Sequence, residues 1–313
     1  MKGLILAAGV GSRLRPVTDS VPKPLLPVAN KPCIQYAIEL MKGCGVGRIG
    51  AVVGHRADLI RDALGNGRRL GVELSYIHQS EPKGLAHAVS CARGFIAGDP
   101  FMLVLADTLF DTGLTPMRER FESRRPDCQA LVAPVPDPRR YGVAVLDRDR
   151  IVHLEEKPAE PRSNLAMAGV YFFGPALWDV LPGLQPSARG ELEITDAIAA
   201  LVAGGGTVLG TVHEGWWLDT GTLDTMLLAN RYWVGKQGLR DALVGANANV
   251  RGCRLLDHTA VGEQAELTGG EIRNSIVLPG VRAELNGGSI HSSLIGADTT
   301  LGPGEQIQGR ILG

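Results

Sequence analysis

The chain has 313 residues, 44% of them apolar, which suits one large domain or one domain with an appendage. Its formal net charge of −1 excludes the basic field of a nucleic-acid binder, while leaving room for anionic substrates held by a few placed Arg and Lys. Cys33, Cys44, Cys91, Cys128 and Cys253 are scattered, odd in number and form no C-x-x-C pair, which argues against a disulfide framework or a zinc site and fits a reducing cytoplasm.

From the N-terminus, MKGLILAAG is too short in its apolar run for a signal peptide, and nothing later approaches the ~20 residues of a membrane span. A cytoplasmic protein with no membrane and no nucleic-acid partner is expected. Residues 3–8 read as a buried parallel strand, and a Gly-rich loop follows at once. Further strands are predicted over residues 48–53, 73–77, 101–106 and 128–135, with helices over 32–41, 57–64, 84–96 and 114–123 between them. Such alternation predicts βαβ units: an α/β fold with a mostly parallel, Rossmann-like sheet and helices on both faces. GVAVLDRDRIVHLEE, residues 142–156, alternates like an antiparallel hairpin; strands over 167–173 and 207–213 flank a helix over 191–202.

Composition shifts near residue 240. Trp233 is the last aromatic ring and Lys236 the last lysine. Aliphatics then recur, mostly every five or six residues, at Val244, Val250, Leu256, Val261, Leu267, Ile272, Val277, Leu285, Ile290, Ile295, Leu301 and Ile307. That period is the mark of a parallel β-helix, and its regularity weighs against a flexible Gly-rich tail. Two domains are therefore expected, residues 1–236 and a left-handed parallel β-helix over 241–313. So short a β-helix should be covered by the first domain or another subunit, so a homo-oligomer is expected. Cutting after Lys236 should leave the nucleotide and metal sites chemically complete. His258 and His291 in this tail read as structural.

Four stretches carry chemistry. In LAAGVGSRLRPVTDSVPKPLLPV, residues 6–28, Gly9 and Gly11 allow close backbone approach to an anion. Arg13 can fork onto phosphate oxygens, and Lys23 is a point charge between two prolines. The string is not a P-loop, and Leu14 stands where a dinucleotide fingerprint needs a small residue, which disfavours an NAD-dependent dehydrogenase. In YIHQSEPKGLAHAV, Gln79 offers a donor and an acceptor suited to the O4/N3 edge of a pyrimidine, and Gly84 opens the next helix; an ordinary polar loop reads the same way. Asp107 ends a buried strand, where open α/β sheets bind ligands, and its natural partner is Asp219 in GWWLDTGT. Two such carboxylates with phosphate oxygens suit Mg²⁺, although Asp107 could equally cap the next segment. In EEKP, Glu156 can accept sugar hydroxyls and Lys157 can match a phosphate dianion, though alone this is a common exposed turn.

Taken together these strings resemble the sugar-1-phosphate nucleotidylyltransferases, nearest the glucose-1-phosphate thymidylyltransferase branch, through most of residues 1–230. The resemblance implies that Ala8, Gly9, Gly11, Ser12, Arg13 and Lys23 hold a nucleoside triphosphate and that Gln79 and Gly84 read thymine or uracil. It assigns the sugar 1-phosphate to Gly142, Glu156, Lys157, Glu193 and Thr195, and Mg²⁺ to Asp107 and Asp219. Ala106 and Thr108 depart from the Gly and Asn often found there. The implied reaction joins dTTP or UTP to a sugar 1-phosphate, glucose 1-phosphate by default, and releases pyrophosphate. A related sugar or a cyclitol phosphate, or a purine nucleotide, fits the same pattern. A non-catalytic regulatory scaffold is the rival from another class, but it would be expected to lose Arg13, Lys23, Asp107, Lys157 and Asp219.

Overall fold

The computed structural model describes residues Met1–Gly313, and its contacts divide the chain into two compact units. The first comprises residues 1–9 and 37–217, the second residues 10–36 and 218–313.

The first unit is built on a nine-stranded sheet: β1 (Lys2–Ala7), β2 (Arg48–Val53), β3 (Glu73–His78), β4 (Phe101–Leu105), β5 (Cys128–Pro134), β6 (Gly142–Asp147), β7 (Arg150–Glu156), β8 (Leu165–Phe173) and β9 (Val208–Val212), in the order β3-β2-β1-β4-β8-β5-β9-β7-β6. The first four strands are mutually parallel, and β5 and β9 form a second parallel pair. The predicted hairpin is present as β6–β7, and β8 runs antiparallel between β4 and β5. Leu4, Ile5, Phe101 and Leu103 are fully buried because strands covered on both faces must be apolar throughout. Phe101 pairs with Phe173 across β4 and β8, their rings 5.4 Å apart, and Trp178 packs on Phe101 at 5.9 Å. Each such side chain contributes on the order of 1.5–3 kcal/mol by leaving water.

Two predicted helices come out shorter. The span expected to be helical over 84–96 is α1 (Leu85–Cys91) followed by a separate short helix over Arg93–Ile96, because Ala92 leaves helical geometry (φ −88°, ψ 3°). The helix expected from 191 begins at Ile194, as α2 (Ile194–Ala203). The reason is tertiary: the Leu192 N–H donates to the Lys83 carbonyl, and the Leu192 carbonyl accepts from the Ala86 N–H, so this backbone is committed elsewhere.

In the second unit, the predicted β-helix is present as three parallel sheets. Ala242, Thr259, Ile276, Leu294 and Ile311 open successive strands of one sheet, 17 or 18 residues apart. Its core holds Val261, Leu267, Ile272, Val277, Leu285, Ile290 and Ile295. Two of the predicted aliphatic positions differ. Val244 heads the Val261–Val277–Ile295 column but lies in the terminal coil and stays 45% exposed. Leu256 pairs with the outward Arg273 and His291 column, while Leu255 aligns with Ile272 and Ile290 inside. His291 faces outward, its Nε2 3.3 Å from Glu271 Oε1. Corners turn at positive φ, as at Asn247 and Asn274, which explains the Asn- and Gly-rich composition.

The remainder of this unit packs on the coils. Helix α3 (Leu223–Lys236) follows a capping box formed by Thr222 and Thr225. Its buried Asn230 accepts from the Ala29 N–H at 2.9 Å and donates to the His258 carbonyl at 2.7 Å. Asn30 Nδ2 donates to the Val261 carbonyl, and a Cβ at Gly313 would lie 3.3 Å from Val17. The loop 10–36 therefore rests on the β-helix, so cutting after Lys236 would keep every expected nucleotide and metal residue in the chain but remove contacts beneath their loop.

Candidate active site

In the first unit, the parallel strands β1 to β4 end on one edge. Ala8 and Gly9 follow β1, Gln79 follows β3, and Asp107 lies in the turn after β4. The backbone ties them down: the Gln79 N–H donates to the Val53 carbonyl, and the Ala106 N–H to the Leu6 carbonyl. Gly54, just past β2, was not singled out in the sequence. A Cβ there would stand 3.1 Å from the Ala8 carbonyl oxygen, so a small residue keeps the two loops in contact. Gly84 has φ 100°, and its Cβ would lie 2.5 Å from the Leu192 carbonyl oxygen, so only glycine fits.

The same unit gathers the expected sugar-phosphate residues. Thr195 Oγ1 donates to Glu156 Oε2 at 2.7 Å, and a Cβ at Gly142 would meet both side chains, at 2.7 and 3.2 Å. Lys157 Nζ is 3.4 Å from Glu156 Oε1. Lys157 itself adopts φ 43°, a left-handed conformation rare outside glycine, and its N–H is held by the Tyr141 carbonyl at 3.0 Å. Beside it, Tyr141 meets Trp217 edge-on at 5.9 Å, and Trp217 stacks on Phe110 at 6.5 Å. Asp196 is pushed above the usual carboxylate range by burial and then by the charges of Glu193 and Glu156. Tyr171 is pushed up by burial first, and by Glu156.

The second unit carries the rest. Gly11, at φ 71°, receives a hydrogen bond from Thr18 Oγ1 on its carbonyl at 3.0 Å, and a Cβ there would stand 2.9 Å from Lys23 Cβ. The glycine thus allows the Lys23 stem to pass close by. Ser12 and Arg13 begin a short turn after it and are exposed. A Cβ at Gly221 would come within 2.6 Å of Arg13 Nη2 and 2.8 Å of Asp219 Oδ1. A guanidinium and a carboxylate thus border the space that this glycine keeps open.

Residues 2–234 match the model of the nucleotidyl transferase family. The chain belongs to that family. Among its relatives, a glucose-1-phosphate thymidylyltransferase of Streptomyces griseus is 42% identical over 293 residues, covering 89% of this chain and 81% of that protein. A UTP–glucose-1-phosphate uridylyltransferase of Haloferax volcanii is 39% identical over 224 residues, covering 71% and 91%. Among solved structures, a UDP-glucose pyrophosphorylase complexed with UDP-glucose superposes with a TM-score of 0.69 at 28% identity, over 75% of this chain and 98% of that one.

The structure of this nucleotidyl transferase also brings in a residue that no motif in the sequence marks. Arg189 Nη2 donates to Glu193 Oε1 at 2.7 Å and lies 3.4 Å from Glu156 Oε1 and 3.3 Å from Glu191 Oε2. Burial works against its charge, but the hydrogen bond to Glu193 and the three carboxylates raise its pKa. The signal in the sequence is a lone arginine two residues before the ELEIT string. What it lacks is a reason to link that loop with Glu156, 33 residues earlier, which only the fold supplies.

Proposed function

We propose that this protein transfers a nucleotidyl group from dTTP or UTP to a sugar 1-phosphate, glucose 1-phosphate first among the acceptors, and releases pyrophosphate. The observation that carries the reading is the convergence of Gly142, Glu156, Lys157 and Thr195, a lysine held in a strained conformation beside a carboxylate suited to hydroxyls. A phosphate oxygen of the sugar 1-phosphate attacks the α-phosphorus in line. The bond from that phosphorus to the oxygen bridging the β-phosphate breaks, and pyrophosphate departs on the far side. The nucleophile is already anionic, so the protein's task is positioning and charge neutralisation. Each unit repulsion between the two polyanions at 4 Å costs about 4 kcal/mol at an effective dielectric near 20. Lys157 and Arg189 offset it on the sugar-phosphate side, Arg13 and Lys23 on the triphosphate, with Ala8, Gly9, Gly11 and Ser12 lending backbone N–H groups.

The approach of two polyanions calls for a divalent cation, and we assign Mg²⁺ to Asp107 and Asp219. The donor set fits. No three His, Cys, Asp or Glu side chains cluster into a closed cage, and Mg²⁺ is usually held by one or two carboxylates with phosphates completing its shell. When bound, the ion would neutralise charge on phosphate oxygens.

A panel of five nucleotides against several sugar 1-phosphates, read by pyrophosphate release, is expected to favour dTTP or UTP with a glucose-type acceptor. Gln79→Ala should weaken that base preference through a lost hydrogen-bond partner. A GTP or ATP preference would sink the base assignment alone; no pyrophosphate with any pair would favour the regulatory scaffold. No helix is long and apolar enough to cross a membrane. We further propose a homo-oligomer to which the β-helix contributes contacts. Light scattering should give a mass above the 33.2 kDa of one chain, and a monomer mass would refute it.

A further inference from the structure

The orientation of the Gln79 amide decides what it can offer a base, and its neighbours fix that orientation. Gln79 is buried, and its Nε2 lies 3.2 Å from the Gly84 carbonyl oxygen, which only accepts, so the nitrogen end points there. The same Nε2 is 3.0 Å from Nδ1 of His87. An amide nitrogen only donates, so Nδ1 is the acceptor, and the ring proton sits on Nε2 of His87, which faces Cys91 Sγ at 4.0 Å. Both amide hydrogens of Gln79 are thus engaged, and Oε1 is the atom left for a ligand. The acceptors themselves are braced. The Lys83 carbonyl and the Ala86 N–H are bonded to the backbone of Leu192, and His87 lies one residue further along α1.

We infer that His87 is a positioning residue that determines base specificity, holding the Gln79 amide so that its carbonyl oxygen alone reads the base. This rests on the assignment of Gln79 to the base proposed above. An amide turned by 180° has almost the same shape, so shape does not select between the two orientations. Turning it here would set Oε1 against the Gly84 oxygen, a contact between two acceptors, and would keep His87 as a partner only if its ring proton moved from Nε2 to Nδ1. Held as it is, Gln79 accepts from the N3–H of thymine or uracil. Cytosine presents a bare N3 acceptor at that position and is rejected.

The test measures kcat/KM for UTP and CTP in the full-length wild type and in Gln79→Ala, His87→Leu and His87→Asn. His87→Leu removes the acceptor and is expected to lower the UTP/CTP ratio about tenfold, the effect of one hydrogen bond. His87→Asn, whose Oδ1 can accept in place of Nδ1, should keep the ratio within about twofold of wild type. Should the leucine variant be insoluble, His87→Ala removes the same acceptor with less bulk. A purely packing role would lower both nucleotides alike and leave the ratio unchanged, which overturns the inference, as does an asparagine variant that falls as far as the leucine one. Gln79→Ala separates the two levels. If it leaves the ratio at the wild-type value, the base assignment fails and His87 with it; if it lowers the ratio while His87→Leu does not, only the role of His87 fails.

Discussion

Replacing Asp219 or Asp107 by Asn is expected to lower turnover by about 10²-fold or more, with little loss of stability. Asp219 ends a three-residue strand, half-buried, and shares the space kept open by Gly221 with the Arg13 guanidinium. Asp107 stands in the turn after β4, at the edge where the parallel strands end. Asparagine keeps the shape of each side chain and removes the charge that a hard divalent cation requires. The loss should therefore fall on the reaction rate and on the Mg²⁺ concentration needed for half-maximal rate, and not on folding. Pyrophosphate release titrated with Mg²⁺, alongside thermal unfolding, separates the two. A near-normal rate and Mg²⁺ dependence in either variant would remove that aspartate from the metal site.

The largest effect on stability is expected at Asn230. Its side chain, 2% exposed, is the acceptor for the Ala29 N–H and the donor to the His258 carbonyl, both on backbone with positive φ. Leucine fills nearly the same volume but satisfies neither group. Leaving two backbone groups unpaired costs about 1–3 kcal/mol each, so Asn230→Leu should lose roughly 2–6 kcal/mol. Urea unfolding should show a lower midpoint at an unchanged slope. A loss under about 1 kcal/mol would mean that water replaces both partners, and the clamp between the loop and the β-helix would have to be abandoned. Because Ala29 lies six residues beyond Lys23, weaker nucleotide binding is expected to accompany the loss.

Local patterns in the chain carry much of the fold. Strand runs such as residues 49–53 and 101–105 are apolar throughout because both faces of the sheet are covered, and a run of that kind announces itself locally. The β-helix is legible for the same reason, since its period of five or six residues is written along the chain. Where sequence and structure differ, the cause is long-range. Leu255 and Leu256 are chemically identical neighbours, and only the register against Ile272 decides which one points inward. Helix α2 starts late because Leu192 bonds to Lys83 and Ala86, more than a hundred residues away in sequence.

The sequence by itself determined the class of fold, the family and the residue types on which the chemistry is proposed to rest, because glycines, lysines and aspartates at strand ends carry their meaning in short strings. Tertiary structure decided what those strings rest on. It set Arg189 among three carboxylates, placed the Gln79 amide nitrogen between the Gly84 carbonyl and His87 Nδ1, and seated the loop of Arg13 and Lys23 on coils that composition marked as an appendage. Each of these depends on hydrogen bonds or charge pairs whose partners are distant in the chain or chosen by side-chain orientation, and neither propensity nor periodicity encodes which partners meet.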